Sequence, residues 1–230
     1  ASAKGAMVAT GSAVMNPFAG GGQNNLYRCF IDLSFRQLAP QGYAALVHQD
    51  GHLTDPKSGP FRREWYGRIA KHFEFINRMK TKNFAEVDHN VRFSLNIYRG
   101  KTGPLRIEKV TNAFVAAQVE DSYRHDGAGL LPNIKNAEGK WDTRGHRDRI
   151  VYVDLAALTA IHALTEEQSV PIEEARFLQP YSAKMLDVFR AMAAAPSLAN
   201  AIEPITRMVS TPDGDRLINI PGWQLSSIWH

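Results

Sequence analysis

The chain reads as an α/β fold: the second half of a doubly wound sheet that finishes in a reversed hairpin and passes into a mainly helical extension. Three observations predict it. Residues 26 to 99 alternate helix and strand signals in the order helix, strand, helix, strand, strand. The last strand candidate, "RFSLNIY", alternates Phe93, Leu95 and Ile97 with Arg92, Ser94, Asn96 and Tyr98, as a half-exposed strand does. With 230 residues, 44% hydrophobic and 22% charged, the chain is long enough for one large globular domain with a real core.

The first element is "NLYRCFIDLSFRQLAPQG". Asn24 or Asn25 stands at the cap position, Leu26, Phe30, Leu33 and Leu38 form the apolar stripe, and Pro40 and Gly42 stop the helix. On that stripe Cys29 is expected as a buried small hydrophobe beside Phe30 and Leu33. "YAALVHQDG" follows as a short buried strand ending in a polar loop, which makes an αβ unit. A second helix is expected over "FRREWYGRIAKHF", with Trp65, Ile69 and Phe73 at helical spacing, then strands over "FEFIN" and "RFSLNIY". Phe93, Leu95 and Ile97 are expected to be core. Further on, Asp154 is placed to cap "LAALTAIHAL" and Ser182 to cap "AKMLDVFRAMAAA". A turn is expected over residues 212 to 214, and Trp223 and Trp229 near the end are expected in core or interface rather than stacked on bases. The organisation is therefore 1–25, a lead segment; 26–110, a partial α/β domain; 111–165, a connector with a basic cluster; and 166–230, a helical segment.

Composition limits the function classes. The single cysteine, Cys29, cannot form an internal disulfide, no signal-peptide pattern is present, and no apolar run reaches the roughly 20 residues of a spanning helix. A cytoplasmic location with no membrane partner is expected. Charge is uneven: residues 57 to 109 hold 13 Lys/Arg against 5 Asp/Glu, whereas residues 154 to 203 hold 3 against 7. That asymmetry predicts a basic face suited to a polyanion. Its candidate residues are Arg78, Lys80 and Lys82 in the loop after "FEFIN", and Arg144, His146, Arg147 and Arg149 in "WDTRGHRDRIVYVD". The second group fits phosphate or guanine contacts, or a structural clamp in which Arg147 or Arg149 pairs with Asp142 or Asp154. His125 and Asp126 lack further ligands at a metal-binding spacing, so a turn role is expected and no metal is.

The succession of residues 25 to 98 carries a resemblance. Leu26, Tyr27, Phe30, Ser34, Leu38, Pro40 and Gly42 in the first helix are followed by Asp55, Lys57, Gly59 and Pro60. The hairpin from "HFEFIN" through "FAEV" to "RFSLNIY" closes the set. This order resembles the second half of the catalytic domain of adenine-specific DNA methyltransferases, in particular the large enzymes of fused restriction-modification and phage-exclusion systems. The stretch "SYRHDGAGLLPNIKNAEGKWDTRGHRDRIVYVD" is similar to the segment after the catalytic sheet in the same enzymes.

The resemblance implies S-adenosylmethionine as cofactor of the complete enzyme, double-stranded DNA as partner and a flipped adenine as substrate. It implies that His48 and Asp50, after the "YAALV" strand, sit at the substrate pocket. The family's Asn-Pro-Pro-aromatic loop and its Gly-rich cofactor loop have one candidate between them, "MNPFAGGGQ". Asn16, Pro17 and Phe18 could supply the catalytic amide, turn and ring, with one proline missing; "PFAGGG" could supply cofactor glycines; or the segment could be a lead into the first helix. The first half of the sheet is then expected upstream or on another polypeptide, so a missing N-terminal half or a homodimer partner is expected to cover an apolar edge at "YAALV". The alternative function is a non-catalytic nucleic-acid-binding or protein-interaction module that retains the half-fold.

Overall fold

The computed structural model describes residues 11, 12, 14–19, 25–78 and 83–195, together with the backbone of 205–211 and 214–220. It divides into two compact units, 1–190 and 191–230.

The first unit is mixed α/β. Helix α1 (Leu26–Gln37) starts at Asn25, whose side chain accepts from the Tyr27 amide. Its chain then turns through Pro40 and Gly42 into β1 (Tyr43–His48). Short α2 (Gly51–Thr54) and a 3-10 turn lead to α3 (Gly59–Arg68), which opens with Pro60 in the first turn, where a missing N–H costs nothing. Strands β2 (Ile69–Ile76), β3 (Arg92–Arg99) and β4 (Arg106–Ala113) follow, then α4 (Ala116–Arg124), β5 (Val151–Asp154), α5 (Leu155–Thr165) and α6 (Ala183–Ala194). Asp154 caps α5 through the Ala157 amide, and Ser182 Oγ accepts from the Met185 amide at the start of α6, both as expected.

The five strands form one open sheet in the order β1-β3-β2-β4-β5. β3 runs antiparallel to both β1 and β2, with Ala45 opposite Ile97 and Phe73 opposite Leu95. β1 and β2 therefore point the same way, with the reversed strand between them. β4 is parallel to β2 and β5 antiparallel to β4, so the sheet continues into the segment expected to be a connector. In the second unit β6 (Ile205–Thr211) and β7 (Gly214–Ile220) pair antiparallel, so the extension is not all helical; residues 212 and 213 of the expected turn lie outside the described residues. Trp223 and Trp229 lie outside the described residues.

The larger core gathers Ile31 and Phe35 of α1, Phe61 and Trp65 of α3, Tyr98, Ile107, Val153 and Leu158. Each such fully buried side chain contributes roughly 1.5–3 kcal/mol. A second cluster forms around Phe73, Phe75, Val110 and Val119.

Four expectations are corrected. Helix α3 ends at Arg68, so Ile69 and Phe73 belong to β2: Ile69 already has extended backbone angles, and from there the chain pairs with β3 and β4 on both sides. Helix α1 is turned about its axis relative to the expected stripe. Ile31, Phe35, Arg28 and Asp32 are buried, whereas Leu26 and Phe30 are 63% and 61% exposed and Cys29 is half-exposed. The polar pair can go inside because Asp32 accepts the Phe18 and Ala19 amides and Arg36 Nε, while the Arg28 guanidinium lies over the Phe61 ring. β1 is an edge strand and not a buried one, with Tyr43 and Val47 exposed. In β3 the faces are reversed: Ser94, Asn96 and Tyr98 are completely buried, and Phe93, Leu95 and Ile97 only partly so.

Among the described residues no helix is long and apolar enough to cross a membrane.

Candidate functional site

The buried polar face of β3 meets side chains from the ends of its two neighbours. His48 closes β1, and its Nδ1–H donates to the Gln49 carbonyl at 2.8 Å, which leaves Nε2 as an acceptor. The Tyr98 hydroxyl donates to that Nε2 at 2.7 Å while accepting the Trp65 indole N–H at 3.0 Å. The Asn96 amide reaches the same Nε2 at 3.0 Å and donates to Ser94 Oγ at 2.6 Å. Ser94 Oγ in turn donates to Asp50 Oδ1 at 2.5 Å, and His72 Nε2 on β2 lies 3.2 Å from Asp50 Oδ2. Tyr27 stacks on the His48 ring at 5.4 Å and donates towards His52 Nδ1.

The electrostatics follow from this enclosure. Burial would raise the Asp50 carboxyl, but the His72 ring, its hydrogen bond and the Ser94 hydroxyl outweigh burial and hold it well below the usual carboxylate range. Burial also pushes the His48 and His52 imidazoles down, so both are neutral at pH 7.

Asp50 borders a cavity of about 620 Å³ shared with Thr54, Glu74, Arg92, Asn112 and Gln179. Asp50 follows β1, Glu74 and Asn112 lie near the ends of β2 and β4, and Arg92 begins the reversed β3, so the cavity stands at the carboxyl ends of the parallel strands. Open α/β sheets bind ligands at that end. Glu74 is engaged on both oxygens, by Arg92 at 3.0 Å and by the Asn112 amide at 3.1 Å; Asn112 adopts a left-handed φ of 55° to deliver it. His48 borders a separate cavity of about 240 Å³ with Phe30, Leu33 and Val47. Among the described residues no group of three His, Cys, Asp or Glu side chains is arranged to hold a metal ion.

The other candidates separate into groups. Asn16, Pro17 and Phe18 are not brought to this cavity. The Phe18 ring packs against Phe35 and under the Arg68 guanidinium, where α3 hands over to β2, and the Phe18 amide is tied to Asp32. Arg78 is exposed at the end of β2, and Lys80 and Lys82 lie outside the described residues. Arg144 is exposed but forks onto Asp142 through Nε and Nη2, and that pairing holds the Asp142 carboxyl below its usual value. Arg147 is exposed.

His146 and Arg149 are corrected, because both are buried. His146 Nδ1 accepts the Asp148 amide and its ring packs on His125 at 4.3 Å. Arg149 donates to the Thr111 and Asn112 carbonyls at 2.9 and 3.1 Å and lies over Tyr181, so it clamps the end of β4 instead of pairing with an aspartate. His125 accepts from the Gly127 amide and Asp126 from the Ala128 amide, the expected turn role.

Residues missed in the sequence join the two basic clusters. Trp141 carries Arg78 over its ring at 5.1 Å and Lys135 at 4.9 Å, packs on Phe114 just past β4, and is followed by Asp142, the partner of Arg144. Arg78, Lys135 and Arg144 thus share one surface at the cavity end of the sheet.

Comparison with known proteins finds no matching family model and no significant match among curated proteins.

Proposed function

We propose that this chain is the target-facing part of an S-adenosylmethionine-dependent DNA adenine methyltransferase of the restriction-modification or phage-defence kind. The observation that carries the proposal is β3 lying antiparallel between the parallel strands β1 and β2. This arrangement supports the reversed hairpin that the resemblance of residues 25 to 98 implies for the same segments. Two further features support it: a polar cavity at the carboxyl ends of the strands, and cationic side chains at the same end of the sheet that can neutralise phosphates. Methyl transfer to an exocyclic amine rests on positioning of the reacting groups, which suits a cavity whose carboxylate is fixed by neighbouring donors.

The bound cofactor would supply the methyl group. The described residues do not fit it: no run of glycines among them joins a strand to a helix, and the described part of "PFAGGG" is tied to Asp32. No step is therefore assigned to a cofactor on this chain. The open edge of β1, with Leu26, Phe30 and Val47 outside, favours a second reading as a protein-interaction module.

Fluorescence anisotropy with labelled duplex DNA separates the two. The first predicts binding that weakens steeply with salt, with Arg78→Gln and Arg147→Gln each lowering the slope of log K against log salt by about 1. Absence of DNA binding at low salt would overturn it.

A further inference from the structure

Lys109 on β4 is completely buried, and its Nζ donates to Gln179 Oε1 while lying 4.4 Å from the centre of the Phe177 ring. An ammonium has three donors and no acceptor, so it fixes which way round the amide stands: the oxygen faces Lys109 and the NH2 group faces away. Gln179 lines the cavity with Asp50, and its segment is held in place by the Phe177 amide on the Leu53 carbonyl and by Tyr66 on the Ala175 carbonyl. The cavity therefore contains an oriented amide donor together with a carboxylate. His72 and Ser94 each take one lone pair of Asp50, one on each oxygen, and the remaining lone pairs can accept from a ligand.

A flat ligand with an amine donor beside a ring-nitrogen acceptor complements that pair. Adenine carries it as the 6-amine and N1, cytosine as the 4-amine and N3, and hypoxanthine carries the reverse. A cavity of about 620 Å³ is within the range that holds a base with its sugar. We propose that Gln179, oriented by Lys109, is a specificity-determining residue that selects an amino-bearing nucleobase over a keto one, with Asp50 accepting from the amine. The inference rests on the target-facing reading of the chain and extends it to residues beyond the segment that carries the resemblance.

The test is calorimetric titration of the chain with adenosine, cytidine and inosine at pH 6. Burial lowers the Lys109 ammonium to about 7, so at pH 6 it is still mainly protonated. The wild type is expected to bind adenosine or cytidine about 10-fold more tightly than inosine. Gln179→Glu keeps the size and the Lys109 partner but replaces the NH2 donor by an acceptor; with Asp50 still accepting, each base then meets one matched and one clashing group, so the preference should collapse. Lys109→Met releases the amide to flip, and the preference should collapse towards unity.

An unchanged preference in a folded Gln179→Glu chain, equal losses for all nucleosides, or no nucleoside binding by the wild type would each overturn the inference. Duplex-DNA anisotropy on the same samples keeps the two proposals apart. DNA binding without nucleoside discrimination leaves the target-facing reading standing and removes Gln179 from it; discrimination without DNA binding does the opposite.

Discussion

Asp50 and His72 meet across the end of the sheet, with Nε2 of the histidine 3.2 Å from Oδ2 of the carboxylate, although one residue follows β1 and the other lies within β2. The reversed strand β3 separates those two strands, and its Ser94 hydroxyl takes the other oxygen of Asp50. One carboxylate thereby ties together three strands and the rim of the cavity.

Asp50→Asn should therefore destabilise the fold. Two N–H or O–H donors converge on the two oxygens, and an amide can accept at only one of them, so a buried donor is left facing an NH2 group. The expected loss is about 1–3 kcal/mol, read as a lower urea midpoint with an unchanged slope. The sign with pH is set by the depressed Asp50 carboxyl: its stabilising contribution is present above its unfolded value of about 3.9 and is lost as pH falls through the lower folded value. The wild type and Asp50→Asn should accordingly converge in stability only in strong acid.

Tyr98→Phe removes one hydroxyl and breaks two bonds, leaving the Trp65 indole N–H without its acceptor and His48 Nε2 with Asn96 alone. A cost of about 1–3 kcal/mol is expected. Trp65 fluorescence should report the change in its surroundings while circular dichroism stays that of the wild type. A variant as stable as the wild type would show that the relay is incidental to the fold.

Lys109 supplies a prediction of the opposite sign to that of an ordinary surface lysine. Burial lowers its ammonium to about 7, whereas the unfolded chain titrates near 10.4. Below pH 7 both states hold the proton and the burial penalty is fully present. Between pH 7 and about 10 the unfolded chain binds more protons, so stability rises with pH, by up to about 1.4 kcal/mol per unit. Above that range the Tyr98 hydroxyl, raised by burial, turns the slope downward. Urea midpoints at pH 7, 8 and 9 should climb for the wild type and stay flat for Lys109→Met.

Particular residues show how much was legible beforehand. The strands around Ala45, Phe75 and Leu95 were predictable because apolar runs bounded by turn residues are local signals, and the reversed placement of β3 followed from their order. Which face of β3 is buried was not legible. Ser94, Asn96 and Tyr98 look like a solvent face until His48, Asp50 and Trp65 arrive from other elements to satisfy them. The same holds for α1, where Asp32 is buried because it accepts amides from residues 18 and 19. At the cavity, Asp50 was expected only through the resemblance and Gln179 not at all, since its orientation depends on a lysine in another strand. Alternate polar residues in a central strand, with a histidine at matching depth in its neighbour, are the signal that could have found the network.

The last prediction concerns the stripe that the turned helix leaves outside. Leu26 and Phe30 of α1 and Val47 of β1 are all more than half exposed, and among the described residues β1 has a neighbouring strand on one side only. An edge strand with apolar side chains beside it invites pairing with another chain. The chain should therefore associate as concentration rises. Phe30→Glu and Val47→Lys place charges on that surface without entering the core, so each should cost no more than about 0.5 kcal/mol of stability while weakening association several-fold. Light scattering after size exclusion, across a range of concentrations, measures the association, and urea midpoints measure the stability. A wild-type chain that remains monomeric throughout would show that this face is tolerated in water and requires no partner.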